Sequence, residues 1–313
     1  MEYIGLHSQI RRNNLRSTFL LLSFPALILL AVYLVLFFTQ GGPDGYIAEV
    51  NYTFIKVIPF VIVAVGVWFM IAYFSNSAII RAATGSRPLE RKENMRVYNL
   101  TENLCMSVGM QMPNLYVIDS PVLNAFASGI DQKSYAVTLT TGIIDKLDDR
   151  ELEGVIAHEL THIRNKDVRL LIISIIFVGI FAFAVQILFR SLMYGNRGRK
   201  NDKVDGRVML VALVVALVVY ALSIVFRFAL SRKREYLADA GAVQMTKNSH
   251  ALASALRKIS GHSNLDVKSS DVKQMFIDNA PAEDGASFFS GLSGLFATHP
   301  PIEKRIAILE RGL

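Results

Sequence analysis

Four long apolar runs constrain this chain more than any other feature of its sequence. They cover residues 17–38, 54–74, 168–189 and 208–230. Each has about 20 residues or more, which is the length that an α-helix needs to cross a bilayer. Hydrophobic residues make up 52% of the chain and charged residues only 19%, a composition that argues against an ordinary soluble protein. We therefore predict an α-helical membrane protein with four hydrophobic spans.

The charges that flank the first two runs predict their orientation. Basic residues precede the first run and follow the second, whereas the loop between them carries Asp44 and Glu49. By the positive-inside rule, both outer flanks are cytoplasmic. The expected segments are a basic N-terminus (1–16), a membrane hairpin (17–74), the first part of a cytoplasmic domain (75–167), a second hydrophobic hairpin (168–230) and the second part of that domain (231–313).

The loop of the second hairpin conflicts with a full crossing. Its basic residues outnumber its acidic residues Asp202 and Asp205; they are Arg190, Arg197, Arg199, Lys200, Lys203 and Arg207. Such a loop should resist translocation. Two arrangements stay open: the runs cross despite the rule, or the hairpin stays associated with the cytoplasmic face.

The net charge of +7 comes mainly from basic residues that flank the apolar runs. Anionic lipid headgroups attract basic residues placed in this way, so we expect a lipid bilayer as a partner and no nucleic acid. Cys105 is the only cysteine, which excludes an intrachain disulfide, and we predict that it is a buried apolar residue.

Apolar periodicity predicts the elements of the soluble part. Helices are expected over 94–108, 149–164, 231–246 and 250–260, and strands over 114–119 and 133–142. Asp148 and Glu151 have the spacing of a capping box at the start of the second of these helices.

The pentapeptide HELTH, residues 158–162, predicts a metal site. His158 and His162 are four residues apart, so both imidazoles project from one face of the predicted helix and can bind one ion. In this motif the glutamate, Glu159, is no ligand but takes a proton from the water that the metal activates. The alternative, two histidines on a helix surface, is disfavoured because the surrounding VIAHEL is apolar and would bury unpaired polar groups. We predict one Zn²⁺ per chain.

A catalytic zinc needs a third protein ligand. The HExxHxxGxxH pattern is excluded, because Asn165 and Val168 stand where it requires Gly and His. Glu235 and Asp239 are four residues apart on a predicted helix, so Glu235 would be the ligand and Asp239 would accept the free N–H of a zinc-bound histidine. The alternative for Glu235 is a solvated salt bridge with the basic residues just before it.

Four motifs occur in order along the chain: NAFASG, TLTTGIIDKLDDRELEGVIAHELTHIRNKD, EYLAD and THPPIEKRI. With the four apolar runs, they make the chain similar to the HtpX family of integral-membrane zinc metalloproteases. The resemblance implies a mainly helical, zincin-like α+β catalytic domain with a small β-sheet. It implies His158, His162 and Glu235 as zinc ligands, Glu159 as general base and acid, and Asp239 as the residue behind a ligand.

The resemblance also implies roles for three residues outside the metal site. Asn124 would contact the substrate backbone, while His299 and Arg305 would steady the oxyanion of the tetrahedral intermediate. Each has a structural alternative. Asn124 could be a turn residue, His299 a packed loop residue and Arg305 a cation on the surface of a helix.

Substrate is expected to bind by strand addition. If residues 135–140 border the cleft, an extended peptide would pair with the free edge of that strand at Ala136, Val137 and Thr138. Main-chain pairing accepts many sequences, which suits a protease of quality control.

The resemblance implies endoproteolysis of damaged or misfolded membrane proteins under stress, in a prokaryotic inner membrane, and the charge pattern leads us to expect that the site faces the cytoplasm. Expected partners are those substrates, a second copy of the chain or other quality-control proteases. Alternatives are a CAAX prenyl protease, whose relatives have more spans, and a noncatalytic membrane scaffold or transporter. The intact motif set His158, Glu159, His162 and Glu235 disfavours a scaffold, and the near absence of charges in mid-span disfavours a transporter.

Overall fold

The computed structural model describes residues 6–40, 47–194, 206–229, 232–260, 262–263, 276–277 and 300–311. The helices within these ranges are α1 (Leu6–Gln40), α2 (Ile47–Thr84), α3 (Met95–Ser107), α4 (Thr141–Lys146), α5 (Asp149–Arg164), α6 (Asp167–Tyr194), α7 (Gly206–Ala229), α8 (Arg232–Thr246), α9 (Ser249–Ile259) and α10 (Ile302–Glu310). The strands are β1 (Arg87–Pro88), β2 (Asn114–Ile118), β3 (Ala125–Ser128) and β4 (Ala136–Thr140).

The four strands form one small sheet in the order β1-β2-β4-β3. β2 and β4 run parallel, while β1 and β3 pair antiparallel with their neighbours. The chain turns back between β3 and β4 at Gly129, whose φ of +104° is open mainly to glycine. A Cβ at Gly129 would also lie 2.4 Å from the carbonyl oxygen of Ser134, so the turn needs a residue without a side chain.

The chain divides into two units. One consists of Met1–Asn14, Ser75–Ile172 and Phe228–Leu313, and it contains the sheet. In this unit α5 packs against α3, α8, α9, β3 and β4. Fully buried apolar side chains of α5, including Leu152, Ile156 and Leu160, lie at its centre. The HELTH motif is therefore carried by a helix that is enclosed on several sides by other elements of the unit.

The second unit consists of Leu15–Phe74 and Ile173–Arg227. Phe24 stacks on Phe177 with ring centroids 4.5 Å apart, while Phe60 and Phe74 of α2 are 74% and 76% exposed. Large apolar side chains that are exposed to this degree are typical of a surface that faces lipid. Among the described residues, Ile47–Thr84 and Asp167–Ile187 are long and apolar enough to cross a membrane, and the apolar stretches Leu22–Phe38 and Leu210–Ala221 are shorter.

The predicted mainly helical fold with a small sheet is confirmed. The helices expected over 94–108, 149–164, 231–246 and 250–260 appear within one or two residues of those bounds as α3, α5, α8 and α9. The strand expected over 133–142 is shorter, since only Ala136–Thr140 is extended. The predicted burial of Cys105 is confirmed as well. Most of the basic loop of the second hairpin lies outside the described residues.

The prediction that β4 offers a free edge is wrong. β4 is hydrogen-bonded to β2 on one side and to β3 on the other, and Ala136, Val137 and Thr138 are buried. A peptide therefore cannot add to β4 at these residues without displacing a neighbouring strand. β3, which the apolar pattern did not predict, is the last strand on that side of the described sheet.

Candidate metal centre

Helix α5 is fixed at its start by a capping box. The Asp148 carboxylate accepts hydrogen bonds from the backbone N–H of Arg150 and Glu151, and the Glu151 carboxylate accepts one from the N–H of Asp148. Glu151 also accepts hydrogen bonds from Ser254 and Lys258 of α9. These bonds set both the start of α5 and its rotation against α9.

Helices α5 and α8 approach closely where Gly241 meets Thr161. A Cβ at Gly241 would lie 2.4 Å from Cγ2 of Thr161, a distance that real side chains do not reach. Thr161 turns its hydroxyl to the carbonyl oxygen of Ala157 in the preceding turn of α5. The close contact brings Glu235, on α8, to the face of α5 that carries the histidines.

His158, His162 and Glu235 point their donor atoms at one position. The Nε2 atoms of the two histidines are 3.2 Å apart, and the Glu235 oxygens lie 3.6 Å from Nε2 of His158 and 3.5 Å from Nε2 of His162. A tetrahedral zinc ion with bonds of about 2.0–2.2 Å holds its ligand atoms about 3.3–3.6 Å apart. One zinc ion therefore fits these three residues. Two imidazoles and a carboxylate also form a donor set that catalytic zinc uses, with a fourth position left for water.

Glu235 is not part of a solvated surface. It is 5% exposed, and its carboxylate faces the two histidines. The alternative of a solvated salt bridge with the basic residues just before it does not fit this burial. The nearest of them in sequence, Arg234, is also buried and donates to the carbonyl oxygen of Asp167.

Asp239 and Arg305 lie behind His158. Oδ1 of Asp239 is 3.0 Å from Nδ1 of His158, which leaves Nε2 directed at the metal position. Arg305 of α10 donates two hydrogen bonds, of 2.9 and 2.7 Å, to the same carboxylate. Arg305 is 1% exposed, so it is no surface cation, and through Asp239 it fixes the orientation of the His158 ring.

The charges around His158 decide its protonation in the metal-free chain. Burial favours the neutral ring, but the carboxylates of Asp239 and Glu235 outweigh burial and raise the pKa of His158 to about 9. Nε2 must give up that proton to bind a metal ion. Burial also opposes ionisation of Asp239, but Arg305 and His158 outweigh it and lower the pKa of Asp239 to about 2.

Asp167 lies against the other histidine, a contact that no sequence pattern predicts. Its Oδ2 lies 3.3 Å from Nδ1 of His162. In a continuous helix, a residue five positions after His162 would point about 140° away from it. The contact exists because α5 ends at Arg164 and Lys166 takes a left-handed φ of 60°, after which α6 begins at Asp167.

Glu159 is buried beside the metal ligands and under β3. The backbone N–H of Ala127, in β3, hydrogen-bonds to its carboxylate. Burial raises the pKa of Glu159, and the nearby histidines and the Ala127 N–H only partly offset this effect. A carboxylate whose pKa is raised holds a proton more readily than an exposed one does.

Asn124 lies at the start of β3 and is buried. Its Nδ2 donates to the carbonyl oxygen of Ser263, and its Oδ1 accepts hydrogen bonds from the N–H groups of Ala125 and Ile277. Asn124 thus binds peptide backbone, although here the backbone is that of the chain itself.

The structure brings together most of the residues singled out in the sequence. His158, Glu159, His162, Glu235, Asp239 and Arg305 lie in one cluster, buried except for the partly exposed His162, with Asn124 just before the neighbouring strand β3. His299 lies outside the described residues.

Comparison with known proteins links this cluster to a family. Residues 91–312 match the model described as Peptidase family M48. A protein from Bacteroides fragilis described as a protease HtpX homolog is 58% identical over 322 residues, which cover 99% of this chain and 100% of the relative. Similar proteins with the same description come from Dictyoglomus thermophilum, 42% identical over 75% of each chain, and Listeria monocytogenes, 35% identical over 97% of this chain and 99% of the relative.

Solved structures also resemble the fold, among them that of a protein named Ste24p. The crystal structure of S. mikatae Ste24p superposes with a TM-score of 0.50 at 18% identity, covering 96% of this chain and 66% of that longer one. At this identity the likeness concerns the fold alone.

Proposed function

The chain belongs to peptidase family M48 and, within it, to the HtpX proteases, and on that premise we propose that its metal is zinc and that its substrates are damaged or misfolded membrane proteins. As a member of this family, the chain is a membrane-bound metalloprotease. The proposal concerns the metal, the roles of individual residues, the substrates and the side of the membrane.

The proposal rests on one observation: three side chains place their donor atoms close together, and the carboxylate of a further residue lies beside them. His158, His162 and Glu235 hold their donor atoms within 4.8 Å of one another. Glu159 follows His158 directly in α5 and contacts β3 through the Ala127 N–H. A metal site with a general base at its side is what metal-assisted peptide hydrolysis requires.

Zinc, when bound, supplies a Lewis acid that polarises the scissile carbonyl and makes water a better nucleophile. The chain contributes the proton transfers. The Glu159 carboxylate accepts a proton from the attacking water and returns it to the nitrogen of the leaving amine. Asp239 and Asp167 hold the rings of His158 and His162 by their Nδ1 atoms, so both Nε2 atoms keep their direction during this transfer.

An extended peptide would add to β3 instead of β4. The carbonyl of Asn124 accepts from the N–H of Thr140, so the alternation of an antiparallel pair turns the backbone groups of Ala125 and Ala127 away from β4. A peptide paired at that edge would pass directly by Glu159, which the Ala127 N–H already touches. Recognition through the main chain accepts many sequences, as a quality-control protease needs.

The test of the central proposal compares Glu159→Gln with wild type. The variant should keep one zinc per chain and lose about 10²–10⁴-fold in turnover, since the general base is gone while the ligands remain. Glu153→Gln, on the same helix and away from the metal position, is the matched control and should keep both zinc and activity. Activity of Glu159→Gln at the wild-type rate in a clean preparation would refute the assignment.

The substrate class needs its own comparison. An unfolded membrane protein and a prenylated peptide should be offered to the same preparation, because the sequence left prenyl-protein processing open. We expect cleavage of the unfolded protein and not of the prenylated peptide. The reverse preference would contradict membrane-protein quality control as the function. Other copies of the chain or further quality-control proteases are the proposed assembly partners.

The proposed location is a prokaryotic inner membrane with four spans and the site facing the cytoplasm. Support comes from the apolar helices α1, α2, α6 and α7 and from the basic flanks of the first two runs. Replacing Cys105 by Ala leaves a cysteine-free chain, and a new cysteine at Asn201 then reports which side the basic loop occupies. Labelling of that cysteine only from the cytoplasmic side would mean that the second hairpin does not cross.

A further inference from the structure

A dipeptide of the chain itself, Phe276–Ile277, lies on the outer edge of β3. The N–H of Ile277 donates to the carbonyl oxygen of Ala125 at 3.0 Å and to Oδ1 of Asn124 at 3.2 Å. The carbonyl oxygen of Ile277 accepts a hydrogen bond of 3.1 Å from Nη1 of Arg305. Both backbone polar groups of one residue are thus held, on the side of β3 that faces away from β4.

The side chains of this dipeptide are also enclosed. Phe276 and Ile277 are 1% and 2% exposed, and the ring of Phe276 lies 5.2 Å from the ring of Phe126 in β3. An aromatic pair at this distance adds to the stability of the contact. The edge of β3 therefore holds an apolar residue through its main chain and an aromatic residue through a ring contact.

The groups that hold Ile277 belong to the same cluster as the metal ligands. Arg305 Nη1 lies 3.6 Å from a Glu235 oxygen, and Nη2 is 3.5 and 3.4 Å from the two ring nitrogens of His158. Since Nη2 is almost equally far from both nitrogens, it lies against the ring and not along either lone pair. The carbonyl of Ile277 is thus held by a side chain that reaches the metal position.

We propose that Phe276–Ile277 occupies the place of a substrate dipeptide on β3, so that it competes with peptides for that edge and shows which side chains the edge accepts. The inference rests on the proposed function, because it takes β3 to be the strand that receives peptide. A peptide with an aromatic residue followed by an aliphatic one would make the same contacts with Phe126, Asn124 and Arg305.

If Phe276–Ile277 competes with substrate, weakening its contacts with β3 should change the kinetics in a specific way. Ile277→Pro removes the N–H that bonds Ala125 and Asn124, and Phe276→Leu keeps an apolar side chain but loses the ring pair. Either variant of the full chain in detergent should lower KM for a short fluorogenic peptide about three- to tenfold and leave kcat unchanged, since one hydrogen bond or ring pair is worth several-fold in an equilibrium constant. A damaged fold would instead lower kcat, and Leu256→Ala in the core of α9 serves as the control for that effect.

A binding experiment keeps this inference separate from the proposed function. In a Glu159→Gln background, which needs no turnover, the labelled peptide KQMFIDN, residues 273–279 of the chain, is titrated into the full chain with and without Ile277→Pro. We expect several-fold tighter binding with Ile277→Pro and weaker binding of the same peptide with Ala in place of Phe. Equal binding with and without Ile277→Pro, or indifference to the Phe, would overturn the inference even if the chain proves to be a zinc protease. If the Glu159→Gln chain binds the peptide as expected but the chain with Glu159 intact cleaves no protein substrate, the proposed function is refuted and the occupancy of β3 stands.

Discussion

Asp167 Oδ2 lies 3.3 Å from Nδ1 of His162, on the far side of the ring from the metal position. With Asp239 on His158, each histidine of the candidate metal centre has its own carboxylate. The two carboxylates come from different helices, α6 and α8, and only the one in α8 followed from the sequence. Both fix the ring nitrogen that carries hydrogen, so that Nε2 is left to bind the metal.

Asp167→Asn should weaken zinc binding. The amide keeps the size of the carboxylate but loses its charge, and partners of this kind are worth about 10–100-fold in metal affinity. A competition titration with a zinc chelator measures the change. Asp145→Asn, an exposed change in α4, should leave the dissociation constant as in wild type. An unaltered constant for Asp167→Asn would mean that the 3.3 Å contact does not orient the ring.

Lys166→Gly should raise the thermal unfolding midpoint or leave it unchanged. Lys166 has a φ of 60°, which glycine adopts without strain, so up to about 1 kcal/mol can be recovered. Lys166→Val should lower stability by about 1–3 kcal/mol, because a branched side chain is least tolerated in this conformation. Lys304→Gly, inside helix α10, is the opposite case and should cost about 1 kcal/mol.

Gly241→Ala should destabilise the chain and weaken zinc binding together. The added methyl group would lie 2.4 Å from Cγ2 of Thr161, so α8 must move away from α5, and overpacking of this kind costs about 1–3 kcal/mol. Thr161→Ala removes the atoms in the way, and the double variant should regain much of the loss in both measurements. Simple addition of the two single effects would show that the helices do not meet at this point.

Because of Glu151, the free energy of unfolding should depend on pH in the acid range. Burial opposes its ionisation, but hydrogen bonds from Lys258, Ser254 and the Asp148 backbone outweigh burial and lower the pKa of Glu151 below 4.5. A carboxyl whose pKa is lower in the folded chain stabilises it fully above the unfolded value, and this contribution is lost as the pH falls below 4.5 through the folded value.

Lys258→Gln isolates this effect. It should cost about 1 kcal/mol at neutral pH, and its stability should fall less steeply in the acid range than that of wild type. Chemical unfolding followed across the acid range measures both quantities. Lys304→Gln, an exposed change, should give the wild-type curve. Parallel acid curves for wild type and Lys258→Gln would exclude Glu151 as the source.

The parts of the fold that follow from the sequence are those set by local periodicity. The spacing of Asp148 and Glu151 correctly gave the start of α5, and the four-residue spacings of His158 with His162 and of Glu235 with Asp239 put the right side chains on one face. Such patterns depend on the geometry of one helix. They need no knowledge of what the helix packs against.

The parts that did not follow depend on partners distant in sequence or on a single backbone angle. Three of the four residues of β3 have small side chains, Phe126 being the exception, and their strand becomes recognisable only beside β4. The contact of Asp167 with His162 depends on the φ of Lys166, and no pattern of residue types predicts this angle. The position of β4 inside the sheet does not follow from the sequence, because local patterns do not tell which strand of a sheet is outermost.

The hydrogen bonds between Arg305 and Asp239 join residues that are translated at different times. The histidines of α5 are translated first, then Glu235 and Asp239 in α8, and the guanidinium that holds Asp239 comes only with α10. A nascent chain on the ribosome can therefore have all three metal donors before the side chain that steadies them exists. The arrangement around His158 is complete only when translation has passed residue 305, by which time the apolar helices α1, α2, α6 and α7 have already been made.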